Sequence, residues 1–244
     1  MLVLETSLGQ HGGRTTPLNS YMKTRVLRAF LAAGMLLLVF GGVAIAGQQD
    51  VTTFAREVDR HYNEMRSFEA EFTESYRGAG IERNESGTLW LKRPGKMRWE
   101  YRQPKAKLFI SDGKNAWFYV PGERQARKTS VKKLEDLRSP LQYLLGHTKL
   151  EKEFAGLSFA PDVKPTQSGD VILRGVPRNM QGIQEVLLEI TPEYQIARIT
   201  VIEVDGAVTE YGFSHQKENL QIADGEFRFA APPGTEVIEA DIGQ

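Results

Sequence analysis

The residues of this chain that could do covalent chemistry are scattered. Its four histidines, His11, His61, His147 and His215, stand alone, with no second ligand at the spacing a metal requires. There is no cysteine, no Gly-x-Ser-x-Gly elbow and no Gly-rich phosphate cradle. Acids occur in pairs, Glu82/Glu85, Glu135/Asp136 and Glu185/Glu189, at positions that read as solvated faces and loops. No catalytic residue, metal site or cofactor is expected. What the sequence concentrates instead is binding chemistry. Between Gly87 and Pro121 lie all three tryptophans, Trp90, Trp99 and Trp117, together with Arg93 on a Lys-Arg-Pro-Gly corner.

That stretch has the period of a strand meander. Met97, Trp99 and Tyr101 alternate with Lys96, Arg98, Glu100 and Arg102, giving one apolar and one charged face. Arg93-Pro94-Gly95 turns the chain before that strand, and Asp112-Gly113 separates Leu108–Ile110 from Trp117–Val120 as a hairpin. The result is a broad aromatic wall with one arginine at its corner.

The elements that must hold this wall follow in order. Val51, Phe54, Val58, His61, Tyr62 and Met65 recur at helical steps behind Asp50, a fitting N-cap. At Ser67 the period changes to two, with Phe68, Ala70, Phe72, Glu74 and Tyr76 on one side of a strand. Gly78 to Ser86 is polar and reads as a hairpin loop. From Val131 the pattern is helical through Leu134, Leu137, Leu141, Leu144 and Leu145, with Ser139-Pro140 as a start signal and Gly146 as a stop. Short strands are predicted at Leu157–Phe159, Val171–Arg174, Glu185–Thr191, Ile196–Val204, Val208–Ser214 and Phe227–Ala230. Pro192–Gln195 and Asp205-Gly206 supply turns. These signals describe one mostly-β domain with a few short helices, its antiparallel sheet curled or closed.

The 244 residues carry a formal net charge of zero. Residues 1–21 show no periodic pattern, and Met22 is a plausible start. Residues 22–46 read as a signal peptide: Lys23, Arg25 and Arg28, then an apolar run, then Ala44-Ile45-Ala46 as a cleavage site. An uncleaved membrane anchor is the rival reading. Residues 47–244 form the expected domain. Removing 1–46 takes away Glu5, Arg14, Lys23, Arg25 and Arg28 and leaves a net charge of about −3, no basis for a nucleic-acid partner. An exported chain without cysteine has neither disulfides nor the acceptor for a lipid anchor, so a soluble monomer with an ordinary core is expected.

The motif Leu-Trp-Leu-Lys-Arg-Pro-Gly-Lys-Met-Arg-Trp-Glu-Tyr, followed by Pro104 and Ser-Asp-Gly-Lys-Asn-Ala-Trp-Phe-Tyr, resembles the outer-membrane lipoprotein carrier family (LolA). Phe-Arg-Phe-Ala-Ala-Pro-Pro-Gly-Thr-Glu-Val-Ile resembles the C-terminal signature of that family, and Ser-Pro-Leu-Gln-Tyr-Leu-Leu-Gly sits where the family has a lid helix. The resemblance implies a half-open antiparallel β-barrel closed by an α-helical lid. It implies a periplasmic carrier that takes acylated lipoproteins from an inner-membrane ABC transporter to an outer-membrane receptor. Met97 stands where many members have phenylalanine, and Arg124–Lys128 is more basic than the usual segment there. A sensor domain of the same shell, reporting lipid or lipoprotein to a membrane partner, is the alternative. Its known relatives carry a second domain.

An apolar cavity suits such cargo. Each buried CH₂ contributes about 0.8 kcal/mol, so one chain of roughly sixteen carbons amounts to about 12 kcal/mol. Two or three chains would exceed the practical ceiling of roughly 18–21 kcal/mol for non-covalent binding and never leave. The expected remedy is an empty state in which apolar helices fill the cavity themselves. Met97, Trp99 and Tyr101 are the expected wall, Leu141, Leu144 and Leu145 the lid, and Val51, Phe54 and Val58 the helix beside it. Arg93 matches the family's lid-holding arginine. It is expected to donate to carbonyls around Leu144–Gly146, where a helix end leaves acceptors free.

Overall fold

A computed structural model of the protein describes residues 50–132 and 149–239, all within one compact unit, Gln49–Gln244. Helix α1 (Val51–Glu64) begins where the Asp50 carboxylate accepts the Thr53 N–H at 3.3 Å, and it buries Phe54, Ala55, Val58 and Tyr62 along one stripe. The chain then enters β1 (Ser67–Gly78), β2 (Ile81–Lys92), β3 (Lys96–Gln103), β4 (Lys107–Asp112), β5 (Asn115–Tyr119) and β6 (Gln125–Ser130). A single turn of helix, α2 (Leu150–Glu153), leads into β7 (Phe154–Phe159), β8 (Val171–Pro177), β9 (Ile183–Ile190), β10 (Ile196–Glu203) and β11 (Val208–Glu218). A 3₁₀ turn (Asp224–Phe227) and β12 (Glu236–Glu239) follow. Among the described residues no helix is long and apolar enough to cross a membrane.

The twelve strands make one sheet in the order β12-β6-β5-β4-β3-β2-β1-β11-β10-β9-β8-β7. Strand β1 is the seam, antiparallel to β2 on one side and to β11 on the other, so the two halves of the chain meet along it. All pairings are antiparallel except β12 with β6. The fold is thus mainly β, as the alternating patterns require, but the sheet is not closed: β7 and β12 are free edges. The expected lid, Leu141, Leu144 and Leu145 included, lies outside the described residues.

Two expectations change. Ile81–Ser86 is strand, not loop, because Ala79 (φ 50°) and Gly80 (φ 74°) turn the chain in two residues and commit the polar run to β1. Those residues then pair, Tyr76 with Arg83 and Glu74 with Glu85. Phe227–Ala230 is not a strand either. Phe227 ends the 3₁₀ turn fully buried, and Phe229 lies against Trp117 at 6.1 Å and Tyr119 at 5.8 Å. Their two-residue spacing reflects two anchors docking on β5 and its neighbours, not a ladder.

The sheet's two faces differ. On one, Phe68, Ala70, Phe72, Leu89, Leu91 and Trp99 join Leu188, Ile190, Ile199 and α1 in the main core. Trp90, Arg98, Ile110 and Trp117 form the cross-strand row of the other face, one register step away from Trp99. There Lys92 and Lys96 hold Asp224 at 2.6 and 2.7 Å, pinning the 3₁₀ turn across the β2–β3 corner.

Candidate functional site

The inner wall is built by register. Leu89, Trp99 and Phe109 stand side by side on β2, β3 and β4, and Phe72, Gly87 and Tyr101 form the next row. Gly87 carries no side chain into that row. A Cβ there would lie 1.9 Å from the Glu100 carbonyl oxygen. The Phe72 ring meets Trp99 and Tyr101 edge-on, each at 4.9 Å, while Trp99 stacks on Tyr101 at 6.0 Å and 12°. Tyr211, on β11, closes against Trp99 at 6.3 Å. Trp99 is 3% exposed, and Met97 and Tyr101 are half-buried against the same core.

Along β3 this face changes character. At the Met97 end its row holds Phe68 and Leu91, with the buried Ser111 on β4 committed to the Gly95 carbonyl at 2.9 Å. At the Tyr101 end it is charged. The Tyr101 hydroxyl donates to Glu74 Oε2 at 2.9 Å, and Lys107 Nζ donates to both Glu85 oxygens at 2.6 Å while lying 4.2 Å from the Tyr101 ring centroid. Arg83 stands 3.6 Å from Glu85 and 3.9 Å from Glu74. Burial raises the Glu74 carboxyl above the usual range, with Glu85 adding to the effect and Lys107 and Arg83 opposing it. Burial also raises the Tyr101 and Tyr211 hydroxyls, with Glu74 reinforcing both.

Helix α1 joins the same core from its other half, against β7 and the β9–β10 turn. Phe54 meets Phe159 at 5.6 Å and Tyr194 at 5.4 Å, Val58 is buried, and Val51 is half-buried at the start of the stripe. Apart from the exposed Arg56–Glu151 pair at 3.7 Å, the polar ties described for α1 gather in its last two turns. Both Asp59 oxygens accept the Leu150 N–H at 3.1 Å, His61 Nε2 lies 2.8 Å from Glu218 Oε1, and the Tyr62 hydroxyl accepts the Ile196 N–H at 2.8 Å.

Arg93 belongs to this end. Its guanidinium donates to the Asn63 carbonyl at 2.6 Å and to the Tyr62 carbonyl beside it, filling two of the acceptors that the last turn of α1 leaves open. Its expected partners, Leu144 to Gly146, lie outside the described residues. The structure therefore gathers Met97, Trp99, Tyr101, Val51, Phe54 and Val58 in one core and sets Arg93 at the end of α1. Sequence reasoning missed Phe72, Tyr211 and the buried pair Glu74 and Glu85. The period of β1 already placed Glu74 on the face of Phe72, a legible sign. Tyr211 depends on β11 pairing with β1, which no local pattern shows.

The site is thus a mainly β sheet with an aromatic row on its inner face and an apolar helix in the same core. Among the described residues, no three His, Asp or Glu side chains stand together as a metal site. The chain belongs to the outer membrane lipoprotein carrier protein LolA family, whose model matches residues 63–230. It is similar to the outer-membrane lipoprotein carrier protein of Proteus mirabilis, 31% identical over 206 residues that cover 83% of this chain and 96% of that one. The protein of the same description from Bordetella avium is 30% identical over 220 residues, covering 88% and 99%. A solved LolA superfamily protein from Nitrosomonas europaea aligns over 74% of this chain and 98% of its own at 11% identity and a TM-score of 0.40.

Proposed function

We propose that the protein is a periplasmic lipoprotein carrier, a monomer that shelters acyl chains against the inner face of its sheet. It receives cargo from an inner-membrane ABC transporter and yields it to an outer-membrane receptor. The shell acts as a half-open barrel, with the 131–146 segment as its lid. Met97, Trp99 and Tyr101 touch the chains, and Val51, Phe54 and Val58 occupy the same space when no cargo is present. The observation that carries this reading is a single apolar core in which the aromatic wall and a helix of the same chain are joined through carbon contacts. Such contacts are non-directional, so a methylene chain can replace them. Family membership supplies the cargo class.

A lipopeptide with brominated acyl chains tests the reading. Its bromines should quench Trp99, which faces the interior, and leave Trp90 and Trp117 on the other face unaffected. Single-tryptophan variants separate the three signals. Quenching of Trp90 or Trp117 with Trp99 silent would place the ligand on the wrong face. Native mass spectrometry of the protein taken from its periplasm should show an acylated protein bound; free lipid alone would favour a sensor.

A further inference from the structure

The inner wall holds one polar atom that hydrocarbon cannot use. Four buried side-chain polar atoms among the described residues have no hydrogen-bond partner: Trp99 Nε1, Asp170 Oδ2, Arg174 Nε and Gln216 Oε1. Only the indole nitrogen belongs to the main apolar core. Trp90 offers the contrast, because its N–H donates to Glu69 at 3.0 Å. The group nearest in kind to Trp99, the Tyr101 hydroxyl, is committed to Glu74. An N–H stranded in carbon surroundings costs free energy that phenylalanine at the same place would avoid. A wall for plain hydrocarbon gains nothing from that donor.

An acyl chain is not plain hydrocarbon. It enters with one obligatory acceptor, the ester or amide carbonyl at its root. We propose that the Trp99 indole N–H is the subsite for that carbonyl, an inference that rests on the carrier reading and deepens it. The polarity of the face gives the chain a direction. The root lies at Trp99, the head of the cargo points toward Tyr101, Glu74 and Lys107, and the tail runs past Met97 along Leu91 and Phe68. The donor thereby sets how far each chain inserts and distinguishes acyl cargo from alkyl chains of equal length.

The test separates the N–H from the ring. Replacing Trp99 with β-(3-benzothienyl)alanine keeps the bicyclic shape and puts sulfur where the N–H was. Two probes are titrated into both proteins: a lipopeptide with two palmitoyl ester chains and its dihexadecyl ether analogue, which lacks the carbonyls. The unmodified protein should prefer the ester by about three- to tenfold, the worth of one net hydrogen bond. The benzothienyl variant should bind the two nearly equally while keeping its affinity for the ether. In ¹⁵N spectra the Trp99 indole proton should move downfield with the ester alone, with the Trp90 and Trp117 indoles as internal references. Equal binding of ester and ether by the unmodified protein overturns the subsite and leaves the carrier intact, as does a preference that survives loss of the N–H. Failure of both probes to bind overturns the carrier reading and the subsite with it.

Discussion

Replacing Arg93 by leucine tests whether the end of α1 is a latch or only a joint. The guanidinium makes two charge-assisted bonds to the Tyr62 and Asn63 carbonyls, one of them on the exposed side. Each such bond is worth roughly 1.5–3 kcal/mol when its loss leaves a buried partner stranded. Water can re-solvate these carbonyls once the side chain is gone, so we work with a net loss of about 1–2 kcal/mol. That amounts to a five- to thirtyfold change in a folded or closed population. If loading breaks these bonds, Arg93→Leu should take up a fluorescent lipopeptide about five- to thirtyfold more tightly and pass it to the outer-membrane receptor correspondingly more slowly. Arg93→Lys, with charge but no planar fork, should fall between. Urea titration of the empty protein supplies the control, since the same 1–2 kcal/mol should appear there. A variant that loses that stability yet binds and transfers like the parent would refute the latch. Arg93 would then hold α1 equally in both states.

Three further outcomes follow from the geometry. Phe54→Ala should cost about 3–5 kcal/mol in urea unfolding and tighten lipopeptide binding, because the ring it removes competes with cargo for the inner face. Gly87→Ala should destabilise by about 3 kcal/mol or more, seen in thermal unfolding, since its methyl would collide with the Glu100 carbonyl oxygen. Glu74 has a folded pKa raised above its ordinary value of 4.5 by burial. Its contribution is therefore most favourable below pH 4.5 and declines as pH rises through the folded value. Glu74→Gln keeps an acceptor for Tyr101 and should flatten the stability profile above pH 4.5, leaving the variant more stable than the parent at neutral pH. An unchanged profile would show that Lys107 and Arg83 already neutralise the carboxylate.

How much of this was legible in the sequence depends on how local each determinant is. Helix α1 was readable because its cap and stripe are set within fourteen residues, and the β3 wall because Met97, Trp99 and Tyr101 alternate without interruption. The polar run after Gly78 reads as a loop in the sequence because its residues are hydrophilic. A two-residue turn at Ala79-Gly80 makes those residues strand regardless of hydropathy. Phe227 and Phe229 have the spacing of a strand, but Pro232 and Pro233 follow closely and the Lys92–Asp224–Lys96 bridges fix the segment across the sheet. No neighbour in sequence reveals that. The bonds of Arg93 to the Tyr62 and Asn63 carbonyls depend on the β2–β3 corner reaching back thirty positions in the chain, which no local pattern shows.

The placement of ties on α1 bears on how a carrier can both hold and release. Val51, Phe54 and Val58 meet the interior through carbon, while Asp59, His61, Tyr62 and the Arg93 contacts fix the other end. Fully burying an aliphatic or aromatic side chain contributes roughly 1.5–3 kcal/mol, so Phe54 and Val58 with the half-buried Val51 contribute about 4–7 kcal/mol. One sixteen-carbon chain offers about 12 kcal/mol gross. A helix displaced at its start therefore offsets about a third to a half or more of one chain and leaves about 5–8 kcal/mol of net affinity, within the range that a receptor can overcome. Two chains would require a second displaced surface of similar size. If α1 alone moved, affinity should rise steeply from one chain to two. If the Leu141, Leu144 and Leu145 segment also gives way, the increment should be shallow. Measuring affinity for mono-, di- and triacylated peptides with chains of equal length decides it, and a full increment of about 12 kcal/mol for the second chain would refute a second displaced surface.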